Sequence, residues 1–291
     1  MNILVTGANG QLGRVLARIS SEETGVFFRT DMSADPRNGI EALDIADVEA
    51  VKSYVEAHDI DVIVNCASYT AVDKAEDEAD IADLVNNRAV AGLAAVAKET
   101  DAVLIHISTD YVFDGHAWLP YSDDAETSAL SVYGKTKAEG ERAVVESGCR
   151  YLIFRTAWLY SAEGKNFVKT IIEKTAELPV MKVVADQVGT PTFADDLAGM
   201  ICHVIESDML DRTGIYNFTD EGLCSWYDFA KEICDLSGHL CDIQPCRSED
   251  YPVKAARPFY SVLDKSKVKK TFAVEIPHWK DSLRICMQQL G

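Results

Sequence analysis

Short apolar runs alternate with longer stretches of helical periodicity through the first half of the chain. The runs are nearly continuous rather than interrupted by polar residues, which is typical of strands covered on both faces. They lie at residues 3–5, 26–28, 62–64, 103–105 and 152–154. This pattern predicts a parallel sheet with helices on each side.

Stretches with apolar residues at helical spacing separate these runs. Leu12, Leu16 and Ile19 follow the i, i+4, i+7 spacing directly after a glycine-rich turn. Residues 47–57 and 83–98 also place apolar side chains on one side of a helix. Repeated strand–helix–strand units imply right-handed crossovers, so we expect an α/β fold with a doubly wound, Rossmann-like parallel sheet.

In the second half of the chain the alternation of predicted strands and helices is less regular. Helices are predicted over 166–175, 194–205 and 225–236, and strands over 180–184 and 215–218. Ser225 and Asp228 have the spacing of a capping box at the start of the third helix. Prolines at 245, 252, 258 and 277 then indicate a loop-rich tail.

This organisation suggests two functional parts. We expect residues 1–156 to form a dinucleotide-binding domain. Residues 157–291 are expected to form a smaller C-terminal lobe that mainly binds substrate, with segments near 194–218 returning to the Rossmann sheet.

Charge and composition narrow the range of partners. The 291-residue chain has a formal net charge of −19, which argues against nucleic acid and membrane surfaces, because both need a basic face. This net charge does not exclude a small anionic ligand, since a helix N-terminus or a few arginines can bind an anion locally. The first residues lead straight into a strand, and no apolar run approaches the ~20 residues that a bilayer requires. We therefore expect a cytoplasmic protein.

The cysteines are expected to be buried free thiols. They lie at positions 66, 149, 202, 224, 234, 241, 246 and 286. No pair has C-x-x-C spacing, and none is coupled to histidines at a metal-ligand spacing. Disulfides are also disfavoured in an intracellular protein.

A glycine-rich turn follows the first strand. Gly7, Gly10 and Gly13 have G-x-x-G-x-x-G spacing and open the first helix. Glycines at this position let the backbone approach a pyrophosphate, which binds at the positive end of the helix. Asp31 ends the second strand and is expected to bind the adenosine ribose, which favours NADH over NADPH. Arg29 could favour NADPH instead, so the preference for NADH is slight.

A tyrosine and a lysine occupy one face of a predicted helix. Tyr133 and Lys137 are at i and i+4, so their side chains share one side of the helix. A phenol has a pKa near ~10, and a neighbouring ammonium can stabilise its phenolate. Thr109, at the carboxyl end of the fourth strand, can donate a hydrogen bond to a substrate carbonyl. Together these residues predict acid–base reduction of a keto group.

These motifs resemble those of the dTDP-4-dehydrorhamnose reductases, within the extended short-chain dehydrogenase/reductase superfamily. The resemblance runs nearly end to end. It rests on residues 7–13, 43–45, 65–76, 85–86, 108–115, 133–137, 155–160, 186–192 and 257–261. The run from Asn65 to Glu76 and the segment around Trp158 are its most specific parts.

The resemblance implies an NAD(P)H-dependent reduction of dTDP-4-dehydro-L-rhamnose at C4, giving dTDP-L-rhamnose, and it also implies roles for individual residues. The residues expected to bind the cofactor are Gly7, Gly10, Gln11, Leu12, Gly13, Asp31, Asp44, Ile45, Ser68, Tyr69, Thr70, Tyr133 and Lys137. The residues expected to bind substrate are Thr70, Val72, Thr109, Asp110, Trp158 and Arg257. Thr109, Tyr133 and Lys137 would form the catalytic trio. Lys254 is, with Arg257, a candidate for binding the substrate diphosphate.

One feature of the family is missing. Some members pair through a metal held by glutamates, but Val15, Asp195 and the segment 288–291 occupy the matching places here. We therefore expect no metal, and either a monomer or a weak homodimer.

Three alternatives stay open. A dehydratase is disfavoured, because it would need a second acid after Thr109 and Asp110, where the chain has Tyr111. An epimerase, or a reductase of another 4-keto sugar, needs the same Thr and Tyr. A non-catalytic relative, similar to the regulatory subunit of methionine adenosyltransferase, would retain the fold without turnover.

Overall fold

A computed structural model describes residues 1–20 and 24–291. Its strands are β1 (Asn2–Thr6), β2 (Val26–Asp31), β3 (Ile40–Ala42), β4 (Val62–Asn65), β5 (Val103–Thr109), β6 (Arg150–Thr156), β7 (Leu159–Tyr160), β8 (Val180–Val184), β9 (Val188–Gly189), β10 (Thr192–Phe193), β11 (Gly214–Asn217), β12 (Cys224–Ser225) and β13 (Asp242–Cys246). Its α-helices are α1 (Gln11–Ile19), α2 (Val48–Ala57), α3 (Val72–Ala75), α4 (Ala79–Asp83), α5 (Ala89–Thr100), α6 (Val132–Ser147), α7 (Phe167–Glu177), α8 (Ala194–Glu206), α9 (Trp226–Ser237), α10 (Ser266–Phe272) and α11 (Trp279–Leu290).

A seven-stranded parallel sheet forms the centre of the molecule. Its strand order is β11–β6–β5–β4–β1–β2–β3, and every neighbouring pair is parallel. Helices α1, α8 and α10 cover one face, and α2, α5 and α6 cover the other. The chain order reverses between β1 and β4, and the carboxyl ends at such a switch point form a crevice. The predicted doubly wound, Rossmann-like fold is confirmed.

Two predicted elements differ in detail from the structure. The helix expected over 83–98 is interrupted by a π-helical turn, Leu84–Arg88, ahead of α5. Asn86 in this turn is fully buried and forms hydrogen bonds with a neighbouring loop, so the irregular turn coincides with a contact between distant segments. The tail is less loop-rich than its prolines indicate, because it contains β13, α10 and α11. Pro277 lies just ahead of α11, where proline does not interrupt the helical hydrogen bonds.

Much of the second half packs around a separate aromatic core. Helices α7, α9 and α11 surround a cluster that includes Tyr160, Phe229 and Trp279. The predicted capping box is present, since the Ser225 and Asp228 side chains bind each other's backbone N–H groups. Six of the eight cysteines are buried, and Cys66 and Cys246 are partly exposed. Within the described part of the chain, no helix combines the length and apolarity needed to cross a bilayer.

A buried pair of carboxyl groups connects the two cores. Asp220 follows β11 and accepts a hydrogen bond from Phe193 N at 3.1 Å, and Asp196 on α8 accepts one from the Ser282 hydroxyl at 2.6 Å. Burial, the charge of Asp196 and the contact between the two carboxyls raise the pKa of Asp220 well above its usual value. Burial also raises the pKa of Asp196. Asp220 Oδ1 is buried without a hydrogen-bond partner, so its burial next to Asp196 disfavours the ionised form of Asp220.

This pair predicts a pH-dependent stability. The folded pKa exceeds the unfolded value near ~3.9, so the contribution is complete below that value and is lost as pH rises through the folded pKa. Asp220→Asn replaces the carboxyl with an amide that cannot ionise. Urea unfolding should therefore show that the stability of Asp220→Asn, relative to wild type, increases between pH 5 and pH 8. The exposed Asp211→Asn is the control, and an equal stability difference at both pH values would contradict a raised pKa at Asp220.

Candidate active site

The carboxyl ends of the central strands open into a cavity of about 580 Å³. The predicted site residues that line it are Gly7, Gly10, Gln11, Leu12, Gly13, Ser68, Thr70, Val72, Thr109, Asp110, Tyr133, Lys137, Trp158 and Arg257. The remaining ones, Asp31, Asp44, Ile45 and Tyr69, lie outside its lining. The motifs are far apart in sequence, and the parallel sheet brings them to one edge.

The backbone of the glycine turn packs closely against neighbouring segments, because its glycines have no side chains. Gly7 has φ +66°, and a Cβ there would lie 2.5 Å from Ala67 N. A Cβ on Gly13 would lie 2.6 Å from Gly7 O, so the turn and the start of α1 pack too tightly for side chains. Among the described residues no side chain caps α1 at Gly10, which leaves the first N–H groups of the helix directed at the cavity. The residues present therefore fit a dinucleotide pyrophosphate.

Asp31 and Asp44 have local partners in addition to their predicted roles. Asp31 accepts a hydrogen bond from Asn9 N at 3.1 Å, so it fixes the phosphate turn to the end of β2. Asp44 accepts one from Ala46 N at 2.9 Å, just ahead of α2. Arg29 lines a smaller cavity beside the turn, together with Arg14 and other residues. The roles of Asp31 and Asp44 in binding adenosine stay predictions.

Asn86 organises the loop of Ser68, Tyr69 and Thr70, which was expected to bind the cofactor. Its Oδ1 accepts hydrogen bonds from the Ser68 hydroxyl at 2.9 Å and from Tyr69 N at 2.8 Å. Its Nδ2 donates to Tyr69 O at 3.1 Å and to the Thr136 hydroxyl at 3.3 Å. The loop is thereby held against α6, the helix that carries Tyr133. In the sequence Asn86 belonged only to the segment 85–86 of the family resemblance, and this contact was not predicted because its partners are distant in sequence.

Thr109 and Tyr133 face each other across the cavity. The Thr109 hydroxyl donates to Asp110 Oδ1 at 3.0 Å. Burial raises the pKa of Tyr133 to about 12, although the nearby Thr109 hydroxyl lowers it. The phenol is therefore protonated at neutral pH, which is the form that an acid catalyst needs. Burial likewise raises the pKa of Asp110 to about 6, against hydrogen bonds from Ser261 and Thr109.

Lys137 is almost fully buried, at 2% exposure. Its ammonium donates to Ile107 O at 2.6 Å and lies 3.4 Å from His106 Nε2. Burial lowers the pKa of Lys137 to about 8, although the carboxylate of Glu141 raises it. The lysine thus keeps a charge at neutral pH that is sensitive to its surroundings.

Glu141 completes the buried network behind the cavity. It forms an ion pair with Arg155 at 2.7 Å, with both side chains less than 5% exposed. Ser108 donates to the same carboxylate, and the Arg155 guanidinium lies 5.0 Å from the Phe113 ring centre. These residues were not predicted as part of the site, because an acid and an arginine in sequence do not reveal burial.

Trp158 and Trp226 form a stacked pair at one wall of the cavity. Their ring centres are 3.6 Å apart at an interplanar angle of 12°. Trp158 was predicted to contact substrate, whereas Trp226 was not predicted. The sequence places Trp226 only as the first residue of a capped helix, a position that carries no functional signal.

Arg257 lies where the first cavity meets a second one of about 600 Å³. Its Nη2 donates to Asp73 Oδ2 at 2.8 Å. Asp73 also accepts hydrogen bonds from the backbone N–H groups of Lys254 and Ala255, at 3.2 and 3.1 Å. Lys254 itself pairs with Asp77 and lies outside both cavities. Asp73 therefore anchors the loop that presents Arg257.

The positions tied to a metal-bridged dimer have other partners here. Val15 is fully buried in the core. Asp195 accepts hydrogen bonds from Arg18 at 2.7 Å and from Gln289 at 3.0 Å. Its carboxylate is therefore already paired with the Arg18 guanidinium. The expectation of a metal-free monomer or weak homodimer stays a prediction.

Comparisons with known proteins agree with this architecture. The family model described as the RmlD substrate binding domain matches residues 1–291. A dTDP-4-dehydrorhamnose reductase from Burkholderia thailandensis is 39% identical, over 100% of this chain and 99% of that protein. A crystal structure of a dTDP-4-dehydrorhamnose reductase from Clostridium acetobutylicum has 42% identity and a TM-score of 0.92, covering 100% of this chain and 99% of the other.

A second crystal structure adds a bound dinucleotide. It is a dTDP-4-dehydrorhamnose reductase from Bacillus anthracis in complex with NADP, with 33% identity, a TM-score of 0.91 and 99% of each chain covered. The family resemblance found in the sequence is thereby confirmed: the chain belongs to the RmlD substrate binding domain family.

Proposed function

We propose that this protein reduces the C4 keto group of dTDP-4-dehydro-L-rhamnose to dTDP-L-rhamnose with NADPH or NADH. The observation that carries the proposal is one cavity that contains Thr109, Tyr133 and Lys137 together with the glycine turn. Relatives with full-length similarity bear the corresponding reductase name. The NADP complex of the Bacillus anthracis relative supports a dinucleotide in this cavity.

The chemistry divides between the cofactor and three side chains. When bound, the dihydronicotinamide supplies a hydride to C4. Tyr133 then donates its proton to the carbonyl oxygen, and Thr109 donates a hydrogen bond to the same oxygen. Lys137 stabilises the phenolate that remains on Tyr133 with its positive charge. A protonated phenol in the resting site matches this direction of proton transfer.

The substrate is expected to span the two cavities. The keto sugar would lie in the cavity of Tyr133, and the nucleotide would lie in the second cavity, between α7 and β8. Arg257 lines both cavities, where a diphosphate would join the two parts. In this assignment residues 1–156 bind the dinucleotide and residues 157–291 mainly bind substrate.

A coupled assay separates this function from its alternatives. A reductase oxidises NADPH or NADH stoichiometrically with the keto sugar, whereas an epimerase regains its cofactor and shows no net consumption. A panel of 4-keto sugar nucleotides and both cofactors tests the sugar and the slight preference for NADH together. No oxidation of either cofactor with any sugar would favour a regulatory protein.

Tyr133→Phe tests the proposed acid. Removal of the hydroxyl should lower kcat by roughly 10²–10⁴-fold, because proton donation to the carbonyl oxygen is lost. The Kd for NADP⁺ should change little, since the ring remains in place against Tyr111. Tyr151→Phe, at the amino end of β6 and outside the cavity, is the matched control and should keep wild-type kcat. Turnover within threefold of wild type in Tyr133→Phe would exclude the proposed acid.

The pH dependence of kcat/KM tests Lys137. Because its pKa is lowered to about 8, kcat/KM should fall above that pH as the ammonium loses its proton. Lys137→Arg keeps its charge to high pH, so its profile should remain flat through pH 9.5 at a lower plateau. An identical alkaline decline in both proteins would assign it to another group.

Arg257→Gln tests the proposed diphosphate contact. The Kd for dTDP should rise by roughly 10–100-fold, because a charge-assisted hydrogen bond to phosphate is lost. Lys254→Gln removes an equal charge from the same loop but outside the cavities, and it should change this Kd less than threefold. Isothermal titration calorimetry measures both values. Equal losses in the two variants would indicate a general effect of charge instead of direct contact.

A further inference from the structure

Trp158 has an unusual backbone conformation. It lies between β6 and β7 and has φ +48°, a left-handed conformation that is uncommon for bulky side chains. A residue persists in such a conformation only when its surroundings enforce it. Its own backbone contributes one constraint, because Trp158 O accepts a hydrogen bond from Thr192 N at 3.3 Å.

Trp226 supplies a second constraint through its ring. The stacking distance of 3.6 Å between the ring centres leaves no room for a third group between the indoles. Gly189 lies against the same indole, since a Cβ there would be 2.8 Å from Trp158 Cε2. The Trp158 side chain is therefore confined between a ring and a bare backbone.

The position of Trp226 is set by elements outside the catalytic trio. It is the first residue of α9 and lies between the two members of the capping box, Ser225 and Asp228. The antiparallel pairing of β12 with β9 places Cys224 opposite Gly189, so this small sheet contains Gly189 and leads directly into Trp226. Phe167 packs against the other side of Trp226, with ring centres 4.6 Å apart.

The stacked pair also lies at the junction of the two cavities. Trp158 lines the cavity of Tyr133, and Trp226 lines both cavities. Both rings are partly exposed, although large aromatic side chains are often more deeply buried. A deoxyhexose has a C–H face and a methyl group, and an aromatic wall can bind these apolar parts.

We propose that Trp226 is a positioning residue for sugar recognition: it holds Trp158 in its left-handed conformation, and the paired indoles form the wall that binds the apolar face of the 6-deoxyhexose. The identity of this sugar rests on the proposed function. The stack itself rests only on the geometry of Trp158, Trp226 and Gly189.

Binding measurements with two ligands test the proposal without turnover. The ratio of Kd values for dTDP and dTDP-L-rhamnose isolates the contribution of the sugar. In Trp226→Leu the Kd for dTDP-L-rhamnose should rise tenfold or more, while the Kd for dTDP should change less than threefold. Trp226→Phe retains a flat ring and should stay within about threefold of wild type for both ligands. Trp118→Leu, at an 84% exposed tryptophan, is the control and should match wild type.

A second variant reaches the same stack from the other side. Gly189→Ala would push against the Trp158 ring and should weaken dTDP-L-rhamnose selectively, as Trp226→Leu does. Circular dichroism should show loss of the exciton signal of stacked indoles in Trp226→Leu and a retained signal in Trp118→Leu.

Two results would overturn the proposal. Equal losses of affinity for dTDP and dTDP-L-rhamnose in Trp226→Leu and Gly189→Ala would indicate that the stacked pair contacts the nucleotide instead of the sugar. Unchanged affinities for both ligands would show that the pair does not contribute to binding. Failure of the wild-type protein to reduce the keto sugar would instead count against the proposed function, while selective loss of dTDP-L-rhamnose binding would still support the sugar wall.

Discussion

The packing of α6 against the carboxyl end of β5 is the contact on which the rest of the site depends. Tyr133 and Lys137 lie on this helix, and Lys137 is fixed by its hydrogen bond to Ile107 O at 2.6 Å. One turn further on, Glu141 joins α6 to Ser108 on β5 and to Arg155 on β6. Breaking a buried ion pair by removal of one partner costs about 3–5 kcal/mol. A shift of α6 along the sheet would separate several of these partners at once, so the helix has one register.

Local ion pairs explain how a chain with a negative net charge can bind anions. The formal net charge is −19, but many of the carboxylates near the site have partners of their own. Asp73 is paired with Arg257, and Asp77 with Lys254. Burial alone would raise the pKa of Asp73, yet the Ala255 N–H and the Arg257 guanidinium lower it overall. The local electrostatic field, which the N-terminus of α1 and Arg257 produce, therefore determines anion binding more than the net charge of the whole chain does.

Sequence patterns predicted the sheet, and most of the motifs that they indicated line one cavity; both outcomes have a physical reason. A buried parallel strand must be apolar throughout, and a phosphate turn must contain glycine where Gly7 approaches Ala67. Such requirements act on consecutive residues and are visible in the sequence. Short β3 was not predicted, because three residues with two exposed side chains show no such pattern.

Contacts between distant residues were the part that the sequence concealed. Asn86 binds the loop at Ser68 and Tyr69 from a π-helical turn, and an asparagine within a helical pattern has no feature that predicts this. Trp226 is similar, since its role depends on the position of Trp158 in space. In contrast, the Ser225 and Asp228 cap was predicted, because its two members are three residues apart.

The lobes of the molecule are joined by the same residues that form the site. Gln11, in the phosphate turn, accepts hydrogen bonds from Ser161 and Asn166 at 3.1 Å each. Trp158 adds a strained residue at the exit from β6, and a left-handed conformation of this kind costs about 1–3 kcal/mol. The aromatic core of the second lobe must offset that energy through Trp226. The conformation of Trp158 is therefore coupled to the folding of this aromatic core: a change that loosens α9 would release Trp158 without any contact with Thr109, Tyr133 or Lys137.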